Sequence, residues 1–325
     1  MVRSMSKGKR SVLINKLGVY IIVLSLVVIG SFVSNKFLSV SNIINILEAV
    51  SFLGIVASGM ALVTYSGQSV DLSTPSTIAV ASFVSVLSLR FGIPIMIILV
   101  LISGAVIGMI NGLVIGKYHL NTVVWTLSVS FVFSGLTRFI FGSSNIYPEG
   151  GNVELFEQIS RYRLFNIIPI SVVVMISILV ILSIIVSYSK YGAKLKLVGC
   201  SEMVAEYSGV NIRRMICSAF IMSGVTASIA GLFIGSLSKS AAYTNGTGYD
   251  FKAITAIVLS GVTLRGGRGS IAGVLGGVMT IGLMNNIMTL IGINTFIQNV
   301  ITGIVFIVVV WITNYSTKNL EANNV

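Results

Sequence analysis

Ten apolar stretches divide this chain, each almost free of charge. They run Leu17–Val33, Ile43–Tyr65, Pro75–Leu89, Ile93–Ile115, Thr122–Phe141, Ile168–Val186, Met215–Leu237, Ala253–Leu264, Ser270–Ile291 and Thr295–Asn314. A helix needs about 20 mainly apolar residues to cross the hydrocarbon of a bilayer. The third and eighth stretches are short, which marks them as broken or re-entrant candidates and sets the span count at eight to ten. Only 9% of the 325 residues are charged and 55% are apolar, whereas a soluble domain carries about 25% charged residues. The expected fold is an all-α polytopic membrane protein; soluble and disordered chains are excluded.

The 21 basic residues outnumber the 9 acidic ones. In a soluble chain that excess points to nucleic acid. In this one it reads as basic cytoplasmic loops, and no nucleic-acid partner is expected. With ten spans and a cytoplasmic N-terminus, fourteen basic residues fall inside and seven outside. This frame gives a cytoplasmic tail over 1–16, a transmembrane region over 17–314 and a cytoplasmic tail over 315–325. A basic N-terminus ahead of an apolar run also fits a signal peptide, but the run is long and no Ala-x-Ala site follows, which favours an uncleaved first helix. Gly142–Ile167, with Pro148 and Gly150–Gly151, becomes an extracytoplasmic connection. The longest cytoplasmic loop is 187–214. In it Ser201 opens a short helix with Glu202 and Glu206 in its first turns, and Gly209 is its stop.

Two short patterns recur in the same order. Asp71-Leu-Ser-Thr and Asp250-Phe-Lys-Ala each open a short apolar helix after a glycine-containing polar stretch. Gly108-Met-Ile-Asn111 is echoed by Gly282-Leu-Met-Asn285, and Asn121-Thr122 by Asn294-Thr295. The displacement is five spans, an odd number, so the second five-helix repeat would be inverted in the membrane. Inverted repeats are a known way to build a transport path.

Three stretches carry a resemblance to a known family. They are Tyr65-Ser-Gly-Gln-Ser-Val-Asp71-Leu-Ser-Thr, then Val198-Gly-Cys-Ser-Glu202-Met-Val-Ala-Glu-Tyr-Ser-Gly-Val-Asn-Ile-Arg213, then Gly248-Tyr-Asp250 through Gly261-Val-Thr-Leu-Arg-Gly-Gly-Arg-Gly-Ser270. Together they resemble the ABC transporter permease subunit of the ribose/simple-sugar importer family, the inner-membrane component of binding-protein-dependent systems. The chain departs from the family pattern at Gln68, Ser69, Thr74-Pro75, Cys200 and Ser201. The resemblance implies a second permease subunit, a homodimer or a sister chain, with cytoplasmic ABC ATPases and an extracytoplasmic solute-binding protein. It also implies relatives that carry autoinducer-2, nucleosides or branched-chain amino acids.

The residues agree with a passive conduit. No G-x-x-x-x-G-K-[ST] loop is present, so this chain binds no cofactor of its own and ATP would be used by the partner subunits. Cys200 and Cys217 have no metal spacing, and the only histidine, His119, makes a proton relay or a catalytic triad unsupported. With the family in view, Glu202, Ala205, Glu206, Ser208, Gly209 and Arg213 form the expected ATPase-coupling segment. Gln68, Asp71, Ser73, Asn111, Asn121, Asn285 and Asn286 are the candidate substrate-path residues. Asp71 reads as the one carboxylate beside an apolar segment in the first half: either a functional group at membrane depth or a helix cap at the cytoplasmic surface. Asp250 reads as a cap at the outer rim. The asparagines offer both donors and acceptors to sugar hydroxyls, but they serve equally to bond helices together. Gly266-Gly-Arg-Gly269 reads as a tight turn, and Gly104-x-x-x-Gly108 as a close helix contact. The expected function is import of a small polar solute, a monosaccharide such as a pentose, by ATP-driven alternating access. An ion-coupled secondary transporter is the rival from another class, and an intramembrane enzyme lacks a nucleophile–base pair.

Overall fold

The computed structural model describes residues 2–150, 152–264, 266–267 and 269–322, with side chains over the part of that range from 18 to 311. Gly151, the basic residues Arg265 and Arg268 assigned to the cytoplasmic side, and the end of the C-terminal tail (323–325) lie outside the described residues. The helices are α1 (Val2–Val33), α2 (Val40–Tyr65), α3 (Thr74–Ser88), α4 (Ile93–Tyr118), α5 (Thr122–Phe141), α6 (Val153–Arg161), α7 (Ile170–Tyr188), α8 (Lys190–Cys200), α9 (Glu202–Tyr207), α10 (Ile212–Ser238), α11 (Tyr249–Leu259), α12 (Val274–Leu290) and α13 (Thr295–Ala322). Strands β1 (Arg163–Leu164) and β2 (Ile168–Pro169) form a two-residue antiparallel hairpin. Among the described residues, six helical segments are long and apolar enough to cross a membrane, and α12 and the apolar parts of α1 and α13 are shorter ones.

All ten apolar stretches are helical, with shifted ends. The helix of the first stretch begins at Val2 and that of the tenth runs to Ala322, so helix continues through the parts expected as tails. The eighth stretch, expected to Leu264, stops at Leu259 because the chain turns through Gly261 at φ 82°. Eleven residues rise about 16 Å, half a bilayer. The segment 187–214 is mostly helix rather than loop: α8 was not anticipated, and Arg213 and Arg214 already belong to the first turn of α10. The connection 142–167 likewise holds α6 and half of the hairpin.

Glycine decides how the centre packs. Gly104, Gly108, Gly112 and Gly116 line one edge of α4 and meet α10 at Gly224, Phe220, Cys217 and Arg213 in turn, so the two helices run antiparallel with their backbones in contact. A methyl group at Gly108 would overlap the Phe220 carbonyl, and one at Gly224 the Gly104 carbonyl. In lipid, where apolar surface has no water to escape, such close approach is what holds helices together. The spacing expected to make a close helix contact does so. Helix α10 also runs antiparallel to α2, with Phe233 stacked on Phe52 and Thr226 against Gly59.

The contacts exchange between halves. α3 packs on α4 and α5 as α11 packs on α12 and α13, and α10 packs on α3 and α4 as α2 packs on α11 and α12. The two central helices α2 and α10 pack on each other. This is the pattern the sequence repeat predicts. The bundle therefore has a near end, where α2 and α4 finish and α10 begins, carrying α8 and α9. Its far end carries α6 and the hairpin, with Ser236 of α10 bonded to Phe156 and Ser160 of α6.

Overpacking a core position costs about 1–3 kcal/mol or more. Gly224→Ala is expected to lower the melting temperature of the purified protein clearly. Gly18→Ala, where a methyl meets nothing within 4 Å, should leave it unchanged or raised, since alanine favours helix over glycine by up to about 1 kcal/mol. Thermal melts of the two variants in detergent compare them directly.

Candidate translocation site and docking helices

After α2 ends at Tyr65 the chain does not leave the bundle. It turns through Gly67 (φ 85°) and climbs back beside α10. Asp71 then stands level with Ser223, eleven residues into α10, or about 16 Å along it. Farther on, Gly231 meets Ile78 and Gly235 meets Ser82, so α3 runs parallel to α10. The second polar stretch does the same from the far end: Gly246 lies against the Pro75 carbonyl. The N-termini of α3 and α11 thus start side by side inside the bundle. Asp250, expected as a cap at the outer rim, lies half-buried in the first turn of α11, whose N-cap is Gly248.

Returning chain at this depth carries backbone groups that lipid cannot satisfy. Polar side chains do so. The Asp71 carboxylate accepts three hydrogen bonds: Oδ1 from the Ser73 N–H (3.0 Å) and hydroxyl (2.6 Å), and Oδ2 from the Ser223 hydroxyl (2.9 Å). Asp71 is 2% exposed, and no basic residue pairs with it among the described residues. Asn111 Nδ2 donates to Ser73 Oγ at 2.8 Å, and its Oδ1 is buried without a partner. The Thr122 hydroxyl donates to Gln68 Oε1 (2.6 Å), and Thr126 Oγ1 accepts the Leu72 N–H (3.0 Å). Asp71 stands in the middle of the bundle and not at the surface where a cap was expected; the N-cap of α3 is Ser73, whose N–H the Asp71 carboxylate receives.

The structure therefore joins Asp71, Ser73 and Asn111 in one polar centre, sets Gln68 at the near-end entry of the same segment against Thr122, and leaves three candidates out. Asn121 is an exposed N-cap of α5, accepting from Val123 and Val124. Asn286 pairs through both amide groups with Asn42 of α2 (2.8 and 3.0 Å). Asn285 stands beside it on α12, its Oδ1 buried and unpartnered. Sequence reasoning missed Ser223, Thr122 and Thr126, which look like ordinary small helix residues. It also missed Glu48, a second carboxylate of the first half, set within α2 and 9% exposed. A charge five residues into an apolar run was the available signal.

At the near end, Ser201 caps α9 by accepting from Val204, and Gly209 ends it at φ 72°, as expected. Ala205 is fully buried under the helix, with its carbonyl bonded to Val210. Glu202 turns toward His119 at the end of α4 (3.5 Å). Glu206, Ser208, Gly209 and Arg213 are exposed, as are Met203 (68%) and Tyr207 (86%), which the sequence reading passed over. Helix α8 is tied to α10 by Tyr191 and Ser218 (2.9 Å). Burial pushes the Tyr191 phenol up, partly offset by that bond, so it stays neutral. Three backbones converge beneath these helices: Gly199 of α8 lies on the Tyr65 carbonyl, Gly266 on Gly67, and Gly267 donates its N–H to Tyr65 O at 3.2 Å. Gly266-Gly267 is the tight turn expected there, with φ of 89° and 68°.

A membrane bundle entered from both ends by returning chain that opens α3 and α11 side by side, with short helices held against one end, has the build of a solute transporter. The sequence profile described as branched-chain amino acid transport system / permease component matches residues 42–310, and the chain belongs to that permease family. It is 35% identical over 297 residues to the ribose import permease protein RbsC of Bacillus subtilis, covering 91% of each chain. It is 30% identical to the probable ABC transporter permease protein YphD of Escherichia coli, over 91% of this chain and 89% of that one. It is also 30% identical to the autoinducer 2 import system permease protein LsrD of Yersinia pseudotuberculosis, over 79% and 78%. No solved structure matches significantly.

Losing one donor to a buried carboxylate costs about 1–3 kcal/mol. Ser223→Ala is expected to destabilise the protein by that order in thermal melts, while Ser25→Ala, at an exposed site bonded within its own helix, should change little. Gly199→Ala, which sets a methyl on the Tyr65 carbonyl, should destabilise as Gly224→Ala does.

Proposed function

We propose that this chain is the membrane subunit of a prokaryotic ABC importer for a neutral monosaccharide, with a pentose such as ribose as the solute. The observation that carries the reading is the match to a ribose import permease across nine-tenths of both chains. In this reading two copies of the permease, or one copy and a sister chain, form the conduit in the inner membrane. An extracytoplasmic binding protein loads it, and cytoplasmic ATPases drive it. The N-terminus and the near end are cytoplasmic.

The docking surface is the outer face of α9. Met203 and Tyr207 present apolar area to a partner, flanked by Glu206, Ser208 and Arg213, which supports ATPase contact. Ala205, Gly209 and Glu202 act differently: they hold the helix down, end it, and tether it to the α4 corner. ATP-driven movement of α8 and α9 would reach the returning segment 66–73, where Gln68 stands at the entry and Asp71, Ser73 and Asn111 form the polar centre of the path. Asn285 is the corresponding group on the other repeat. Asn121 and Asn286 support the frame. The autoinducer-2 match keeps that solute as a second reading.

Reconstitution with the partner ATPase and binding protein tests the whole. ATP-dependent uptake from a panel containing ribose, other pentoses, hexoses, autoinducer-2 and leucine is expected to favour ribose. Gradient-driven uptake by the chain alone would overturn the reading. Aromatic anchors at interfaces are worth about 2 kcal/mol, roughly thirty-fold in affinity. Tyr207→Ala should weaken ATPase binding by that order, measured on the detergent-purified complex.

A further inference from the structure

The far end of the bundle holds a second polar locus that the central break does not explain. Asn45 and Glu48 lie one turn apart near the start of α2. Gln158 and Arg161 of α6, with Tyr162 and Arg163 at the hairpin, face them across a groove of about 750 Å³. That is the size of a small-molecule site.

Glu48 is its floor. It sits in a spanning helix and is 9% exposed, yet its carboxylate accepts no hydrogen bond among the described residues. Its ion-pair partner, Arg163 Nη2, stands 3.8 Å away, beyond hydrogen-bond length. Asp71 in the same bundle is sealed and holds three donors, whereas the Glu48 carboxylate opens onto the groove. Glu48 therefore keeps acceptor sites on the wall of an open groove, where a donor from outside the chain can reach them.

The surrounding charges select what that donor is. An anionic solute would meet Glu48, and a cationic one would meet Arg161 and Arg163. Neutral hydroxyls find an acceptor in the carboxylate, donors in the guanidinium groups, and both in the amides of Asn45 and Gln158. Tyr162, 60% exposed, offers a ring face to the C–H side of a sugar. We propose that this groove is a loading site for a neutral polyhydroxyl solute, in which adjacent hydroxyls bridge Glu48 and Arg163. The inference rests on the importer reading above and names where the solute is received.

The test uses the full chain in lipid nanodiscs, with D-ribose as the probe in saturation-transfer NMR and a ribose titration to obtain the dissociation constant. Glu48→Gln is expected to weaken binding at least ten-fold, and Glu48→Asp to recover part of it. Ribitol, which keeps adjacent hydroxyls, should compete; 1,3-propanediol, which has none, should not. Melting temperatures of the variants close to that of the unaltered chain show that folding is preserved; if Glu48→Gln unfolds, Arg163→Gln replaces it with the same expectation. Unchanged ribose binding in the folded variants overturns the site. So does loss of binding-protein affinity with ribose binding intact, which would make the groove a protein dock. Failure of the importer reading looks different: the unaltered complex would then transport no sugar of the panel.

Discussion

Where α4 crosses α10, four glycines bring two backbones into contact, and the rest of the bundle takes its positions from that crossing. Apolar side chains gain nothing by leaving lipid for one another, so dispersion at close range must hold helices together. The crossing fixes α10 as the central post. Ser223 on it reaches Asp71, Gly231 and Gly235 seat α3, and Ser236 anchors α6. If α10 moved outward by the width of a methyl group, the buried carboxylate would lose a donor and the returning chain its support.

That returning chain is the costly part of the design. Residues 66–73 carry non-helical backbone into a region where lipid supplies no hydrogen bonds, which is tolerated only inside protein. Thr122 and Thr126 of α5, Asn111 of α4 and Ser223 of α10 converge on it from three helices. The result is a polar centre built mainly from hydroxyls, with one carboxylate fully bonded and one amide oxygen left over on Asn111. Glu48 at the far end is the opposite case, a carboxylate whose bonding capacity faces a groove.

The sequence revealed elements more readily than their meetings. Apolar run length located every spanning helix, and the Asp71/Asp250 and Asn111/Asn285 echoes exposed the repeat. Turn chemistry at Ser201 and Gly209 placed α9 correctly. What a single sequence does not display is depth. Nothing local says that Asp71 sits beside Ser223 rather than at a membrane surface, because that depends on a reversal at Gly67 and on contact with a helix some 150 residues away. Asn121 and Asn286 illustrate the same limit. An amide looks alike in sequence whether it caps a helix, pairs with Asn42 or lines a path. Helix α8 was hidden because its lysines and glycines read as loop when hydropathy is the guide, although Ser189 caps it.

The convergence of Gly67, Gly199 and Gly266-Gly267 has a mechanical consequence. A contact between side chains has slack, since rotamers can swing and absorb part of a displacement. A contact between bare backbones has none. The α8 end therefore bears directly on the Tyr65 carbonyl, and through it on the segment that leads up to Asp71. In engineering terms, force applied at the near end has a defined address in the interior.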